Sequence, residues 1–168
     1  MIGLVSDTHD RLEAIRRAVE VFNQRGVDLV LHAGDYVAPF TASAFKDLRC
    51  RLIGVYGNVD GDRELLKERY AELGEIKGFM AVLELAGVKL ALIHGSPPEL
   101  VEALAKSGDY DVVVHGHTHK ARAERLGPSL VVNPGEACGY LTGRATVALL
   151  ELPELKVEHV ELKVSRID

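Results

Sequence analysis

Seven side chains able to hold a divalent cation stand at the ends of apolar runs. Asp7 and His9 follow Ile2–Val5, Asp35 follows Leu29–His32, and Asn58 follows Leu52–Tyr56. His94 closes Lys89–His94, and His117 with His119 follow Val112–His115. Polar groups so placed are costly to bury without partners, so they are expected to converge on one another. The carboxyl ends of adjacent parallel strands lie side by side and let loops distant in sequence build one site. Carboxylate and amide oxygens mixed with imidazoles, and no thiolate, suit Mn, Fe, Zn, Ni or Co better than Cu(I) or an iron–sulfur cluster. Seven donors are too many for one ion. Two ions about 3.5–4 Å apart that share a carboxylate are a known arrangement for phosphoryl transfer. Asp35, behind a middle strand, is the natural shared carboxylate.

Five short blocks carry these residues: Asp7-Thr8-His9, Gly34-Asp35, Gly57-Asn58-Val59-Asp60, His94-Gly95 and Gly116-His117-Thr118-His119. In this order they resemble the signature blocks of calcineurin-like metallophosphoesterases. The short chain is similar to the small bacterial and archaeal phosphodiesterase branch of that superfamily. The resemblance implies one metal held by Asp7, His9, Asp35 and His119. It implies a second held by Asp35, Asn58, His94 and His117, with Asp35 and Asn58 central to catalysis. Manganese is the expected ion at both positions, with Ni, Fe, Zn, Co or Mg as further candidates. The implied mechanism is attack on phosphorus by a metal-bridging hydroxide, with both ions neutralising charge on the phosphate oxygens. Asn133-Pro134-Gly135 also resembles a family element near the site, and no ligand role is expected for it.

Position 59 departs from the pattern. Many members have His there, in contact with substrate and able to protonate the leaving group, whereas this chain has Val59. Loss of acid catalysis typically costs about 10²–10⁴-fold for a poor leaving group. The departure resembles the small phosphodiesterase branch and points to a small phosphodiester substrate. A competing class is a catalytically weak protein-binding scaffold of the same fold, as in a eukaryotic retromer subunit. Seven competent donors favour the enzyme.

Other polar residues take plainer readings. His32 and His115, at strand ends, are expected to be core or supporting histidines, and His159 to be structural or exposed. Asp10, just before Arg11-Leu12, is the candidate helix cap, and Asp60 is either a support for the ligands or a loop cap. His117 and His119 occupy alternate positions, which on extended chain would put both on one side.

These residues need a scaffold of strand ends. Leu12, Ile15, Ala18, Val19 and Phe22 fall at helical spacing until Gly26, a short helix is predicted near Ala42–Leu48, and Arg63–Tyr70 and Glu99–Ser107 read as helices. Three successive strand–loop–helix units predict parallel strands. The runs Met80–Leu85 and Lys89–His94 around Ala86-Gly87 predict a hairpin. Further strands are expected at Ala121–Leu126, Leu130–Asn133, Arg144–Leu152 and Lys156–Val164, the last on an outer antiparallel edge. The fold class is therefore α/β, a two-sheet β-sandwich flanked by helices in four αββα layers, as a single domain over residues 1–168.

Composition narrows the function. A formal net charge of −5 with a pI near 5.8 gives no field for a nucleic-acid polymer. The opening residues lack the pattern of a signal peptide, and no apolar run approaches a membrane span, so no membrane is expected and the location is read as cytoplasmic. Cys50 and Cys138 fit a reducing compartment. Self-association into a homo-oligomer is left open.

Overall fold

The computed structural model describes residues 1–165. Its strands are β1 (Ile2–Val5), β2 (Leu29–His32), β3 (Arg51–Gly54), β4 (Gly74–Ile76), β5 (Met80–Leu85), β6 (Val88–Ile93), β7 (Val112–Val114), β8 (Arg122–Leu126), β9 (Ser129–Asn133), β10 (Thr146–Glu151) and β11 (Lys156–Glu161). The helices are α1 (Leu12–Gln24), α2 (Arg63–Tyr70) and α3 (Glu99–Ser107). One sheet runs β11-β10-β1-β2-β3-β4 and the other β5-β6-β7-β9-β8. Both are mixed. β1 to β3 are parallel neighbours, as the three repeated units predict, β4 adds a fourth parallel strand that the sequence did not show, and β10 and β11 close that sheet antiparallel. β6, β7 and β9 are parallel between antiparallel β5 and β8.

Alternation along the strands creates three apolar layers. Leu4, Leu31 and Leu150 of the first sheet meet Leu90, Leu92, Val112, Val114 and Val132 of the second between the sheets. The opposite parity, Val5, Val30 and Leu149, packs outward on Ile15, Ala18 and Phe22 of α1. Gly3 leaves the space for that packing, since a Cβ there would stand 2.8 Å from the Phe22 ring. Ala91, Ile93, Val113 and Val131 cover α3 through Val101 and Ala105. Each fully buried Leu, Ile or Phe contributes about 1.5–3 kcal/mol of transfer free energy. The result is the helix–sheet–sheet–helix stack expected from the sequence.

Local chemistry sets the turns. Ala86 and Gly87 both have positive φ, 51° and 76°, the two-residue hairpin geometry whose twist matches its strands. Asp62 caps α2 by accepting from Leu65 N at 3.1 Å, and Gly108 ends α3 at φ 81°. Two expectations are corrected. The helix predicted near Ala42–Leu48 is a 3₁₀ segment at Pro39–Phe45, begun by Pro39 at its first turn. Asp10 does not cap α1, whose first turn has no side-chain cap among the described residues; its Oδ1 accepts from Ala38 N at 2.9 Å, joining two loops. No helix among the described residues is long and apolar enough to cross a membrane.

Candidate metal centre

All seven sequence-predicted residues lie on loops at one end of the sandwich. Asp7 and His9 leave β1, Asp35 leaves β2 and Asn58 follows β3; His94 leaves β6, while His117 and His119 follow β7. The loops are laced by their own backbones. Asp7 N donates to Gly34 O at 3.0 Å, His9 N to Asp35 O at 3.2 Å, and Gly116 N to His94 O at 2.9 Å. Five of the candidates, Asp7, His9, Asp35, His117 and His119, hold positive φ of 52, 37, 60, 66 and 61°. Left-handed backbone at residues bearing a Cβ costs of order 1–3 kcal/mol each and persists only where the surroundings enforce it. His117 and His119 thus converge through left-handed turns, and the extended stretch expected for them is absent.

The packing is close enough that glycine is required beside Asp35. A Cβ on Gly57 would stand 2.0 Å from Asp35 Oδ1 and 2.5 Å from Asp35 N. Asp60 fixes the same junction from below. Its buried carboxylate accepts from Asp35 N at 3.1 Å, Val37 N at 2.8 Å and Gly57 N at 2.7 Å. Asp60 is therefore a tie between two ligand loops, which resolves the pair of roles the sequence left open.

The donors face one another in two groups. Asp7, His9, Asp35 and His119 each offer an atom within 4.8 Å of the others. His119 Nε2 is 3.4 Å from Asp7 Oδ1, and His9 Nε2 is 3.6 Å from Asp35 Oδ2. Both Asp7 Oδ1 and His9 Nε2 are buried without a hydrogen-bond partner among the described residues. In the second group Asn58 Oδ1 lies 2.8 Å from His94 Nε2 and 2.9 Å from His117 Nδ1. His94 donates Nδ1–H to Ala33 O at 2.8 Å, which leaves its Nε2 facing the Asn58 carbonyl. Two buried unpartnered atoms in the first group, and two imidazole nitrogens gathered on one amide oxygen in the second, are an arrangement that a divalent cation satisfies, and the donor chemistry fits such ions. Burial opposes a proton on His94, yet contact with Asp35 outweighs it and raises its pKa. The carboxylate field that favours that proton would favour a metal, and binding the metal would release it.

Glu136 was not picked out by the sequence reading. It is fully buried behind His119 and accepts from His119 Nδ1 at 2.7 Å, Leu141 N at 3.0 Å and Thr142 Oγ1 at 2.6 Å. Burial alone would raise its pKa; the bonds from His119, Thr142 and Leu141 outweigh it and bring the carboxyl down to about 2. Glu136 thereby turns Nε2 of His119 toward Asp7. Cys138, close to His9 and His119, is pushed up to about 12 by burial and donates its thiol to Glu136. It is a neutral thiol in this arrangement.

The remaining histidines keep supporting roles. Burial holds His32 neutral, with a pKa of about 3, while its Nδ1 accepts from Gly34 N at 3.1 Å. His115, at about 4 through burial, sits against Gly116 O at 3.0 Å. His159 Nε2 donates to Asn133 O at 2.8 Å, linking β11 to the other sheet.

A helix-flanked double sheet with Asp, Asn and His gathered on its strand-end loops defines the metallophosphoesterase class. Residues 1–154 match the calcineurin-like phosphoesterase superfamily domain, and the chain belongs to that superfamily as a metal-dependent phosphoesterase. It is 42% identical over 165 residues to a phosphodiesterase of Methanocaldococcus jannaschii, covering 96% of this chain and 99% of that protein. A solved archaeal phosphodiesterase superposes with a TM-score of 0.91 at 40% identity, over 96% of this chain and 99% of the other. Vps29 of Entamoeba histolytica shares the fold, with a TM-score of 0.69 at 21% identity over 96% and 99% of the two chains.

Proposed function

We propose that the chain hydrolyses a small phosphodiester at a pair of divalent ions, one held by Asp7, His9, Asp35 and His119, the other by Asp35, Asn58, His94 and His117. The observation carrying this reading is the position of Asp35 Oδ2. It lies 3.6 Å from His9 Nε2 and 3.3 Å from His94 Nε2, so one carboxylate faces both groups. When bound, the ions supply a water of lowered pKa as nucleophile and neutralise charge on the phosphate. The protein's part is orientation. Glu136 and the Ala33 carbonyl fix the rings of His119 and His94, Asp7 Oδ2 accepts from His117 N at 3.2 Å, and Val59 N donates to Asp35 Oδ1 at 3.2 Å.

The diester preference is supported by the rim. Val59 is 41% exposed beside Asn58 and has no dissociable proton to give a leaving group, so substrates with good leaving groups are favoured. Leu141, whose backbone N donates to Glu136, and Tyr140 next to it are also exposed and suit the second organic substituent that a monoester lacks. Manganese and a cytoplasmic setting belong to the same reading.

The test is to strip the protein of metal and assay diesters and monoesters after adding Mn, Ni, Mg, Zn, Fe or Co singly. Activity should vanish on stripping, return most fully with Mn, and favour diesters. Activity without metal would overturn the reading, and a monoester preference would overturn its substrate half. The likeness to Vps29 motivates the alternative of a protein-binding scaffold; a stable protein complex formed by a chain that binds no metal would establish that instead.

A further inference from the structure

A ring and a cation on segments that adjoin those bearing Asn58 and His94 take no part in the chemistry above. Phe79 is 62% exposed. The Cζ of Arg63 lies 4.6 Å from its ring centroid and 5.7 Å from that of Tyr56. Tyr56 meets Phe79 edge-on, with centroids 5.9 Å apart at 67°. The arrangement is braced from three sides. Tyr56 Oη donates to Arg63 O at 2.9 Å, and Tyr56 N donates to Gly78 O at 2.6 Å. Met80, the next residue after Phe79, pairs with Ile93, the residue before His94. Phe79 is thus tied to the two segments that bear Asn58 and His94. Among the described residues Arg63 Nε is buried with no hydrogen-bond partner, and the guanidinium lies against both rings. One side of Phe79 is occupied by that cation and edge by Tyr56, and more than half of the residue remains open to solvent.

We propose that Phe79, backed by Arg63 and Tyr56, is a stacking platform for a planar aromatic substituent of the phosphodiester substrate. A ring held rigid before the ligand arrives loses little freedom on binding, and offset aromatic pairs add attraction beyond the area they bury. An alkyl substituent has no π face to use. The platform therefore sets which substituent is preferred, while the metal centre acts on the phosphate they share. This inference rests on the phosphodiesterase reading.

The test compares phenyl 4-nitrophenyl phosphate with methyl 4-nitrophenyl phosphate, which share a leaving group, on the manganese-loaded protein. The ratio of their kcat/KM values should favour phenyl by about fivefold or more, the scale of one aromatic pair. It should collapse in Phe79→Ala and in Phe79→Leu, the second of which keeps apolar bulk without a ring, and return in Phe79→Trp. Phe40→Ala, which removes a comparably exposed ring on the 3₁₀ segment, should leave the ratio where it was. A ratio retained in Phe79→Leu would overturn the platform. If neither diester is turned over with any metal, the phosphodiesterase reading fails. The platform is then decided by calorimetric binding of phenylphosphonate against methylphosphonate, where equal affinities would overturn it.

Discussion

At the residue scale the centre depends on a carboxylate that would touch no metal. Glu136 holds Nδ1 of His119 and, through the same two oxygens, the backbone of Leu141 and Thr142. A histidine whose second nitrogen donates to a carboxylate is fixed in tautomer and made a stronger ligand, and loss of such a partner typically lowers metal affinity about 10–100-fold. Glu136→Gln preserves size and an acceptor but removes the charge. Calorimetric titration of the stripped variant with manganese should show affinity falling by about that factor at one of two sites. Unchanged affinity would mean that His119 is oriented by packing alone. The sequence did not expose Glu136 because it stands outside every metal-spacing pattern and is buried by a loop, 137–143, whose path depends on the carboxylate itself. The seven proposed donors stand out in the sequence for the opposite reason, since each closes or follows an apolar strand and has no use in the core.

At the element scale the loops matter more than the strands. The helices Arg63–Tyr70 and Glu99–Ser107 were readable to the residue, because Asp62 and Gly108 mark a start and a stop. β4 escaped notice, being three residues, Gly74–Ile76, of which Ile76 alone is fully buried. Asp60 shows what composition hides: one buried carboxylate accepts three backbone N–H groups from the loops behind β2 and β3. A buried donor left unpaired costs about 1–3 kcal/mol. Asp60→Ala is expected to lower the unfolding free energy of the stripped protein by about 3 kcal/mol or more, read from its urea midpoint. Asp60→Asn, which retains one acceptor oxygen, should fall between the two. A midpoint unmoved in Asp60→Ala would show that water or a shifted loop replaces the tie.

At the scale of the whole molecule the centre is a clasp across the sandwich. The loops with Asp7, His9, Asp35 and Asn58 rise from the six-stranded sheet, and those with His94, His117 and His119 from the five-stranded one. Each proposed ion would take ligands from both sheets, so binding would couple them at the end where the left-handed loop residues gather. The leucine and valine layer between the sheets is complete without that coupling, and the stripped protein is expected to remain folded. Ligand binding to the native state alone stabilises by about 2.7 kcal/mol at a concentration 100 times Kd. In a chain of this size each kcal/mol moves Tm by about 2–4 °C. Manganese at that level should therefore raise Tm by about 5–11 °C per site, and a chelator should reverse it. Amide exchange locates the effect. Protection should rise in the loops behind β1, β2, β3, β6 and β7, while the outer strands β8 and β11 gain little beyond the global shift. Protection that rises in the loops of one sheet alone would mean that the ions bind without joining the two halves, and the clasp would be wrong.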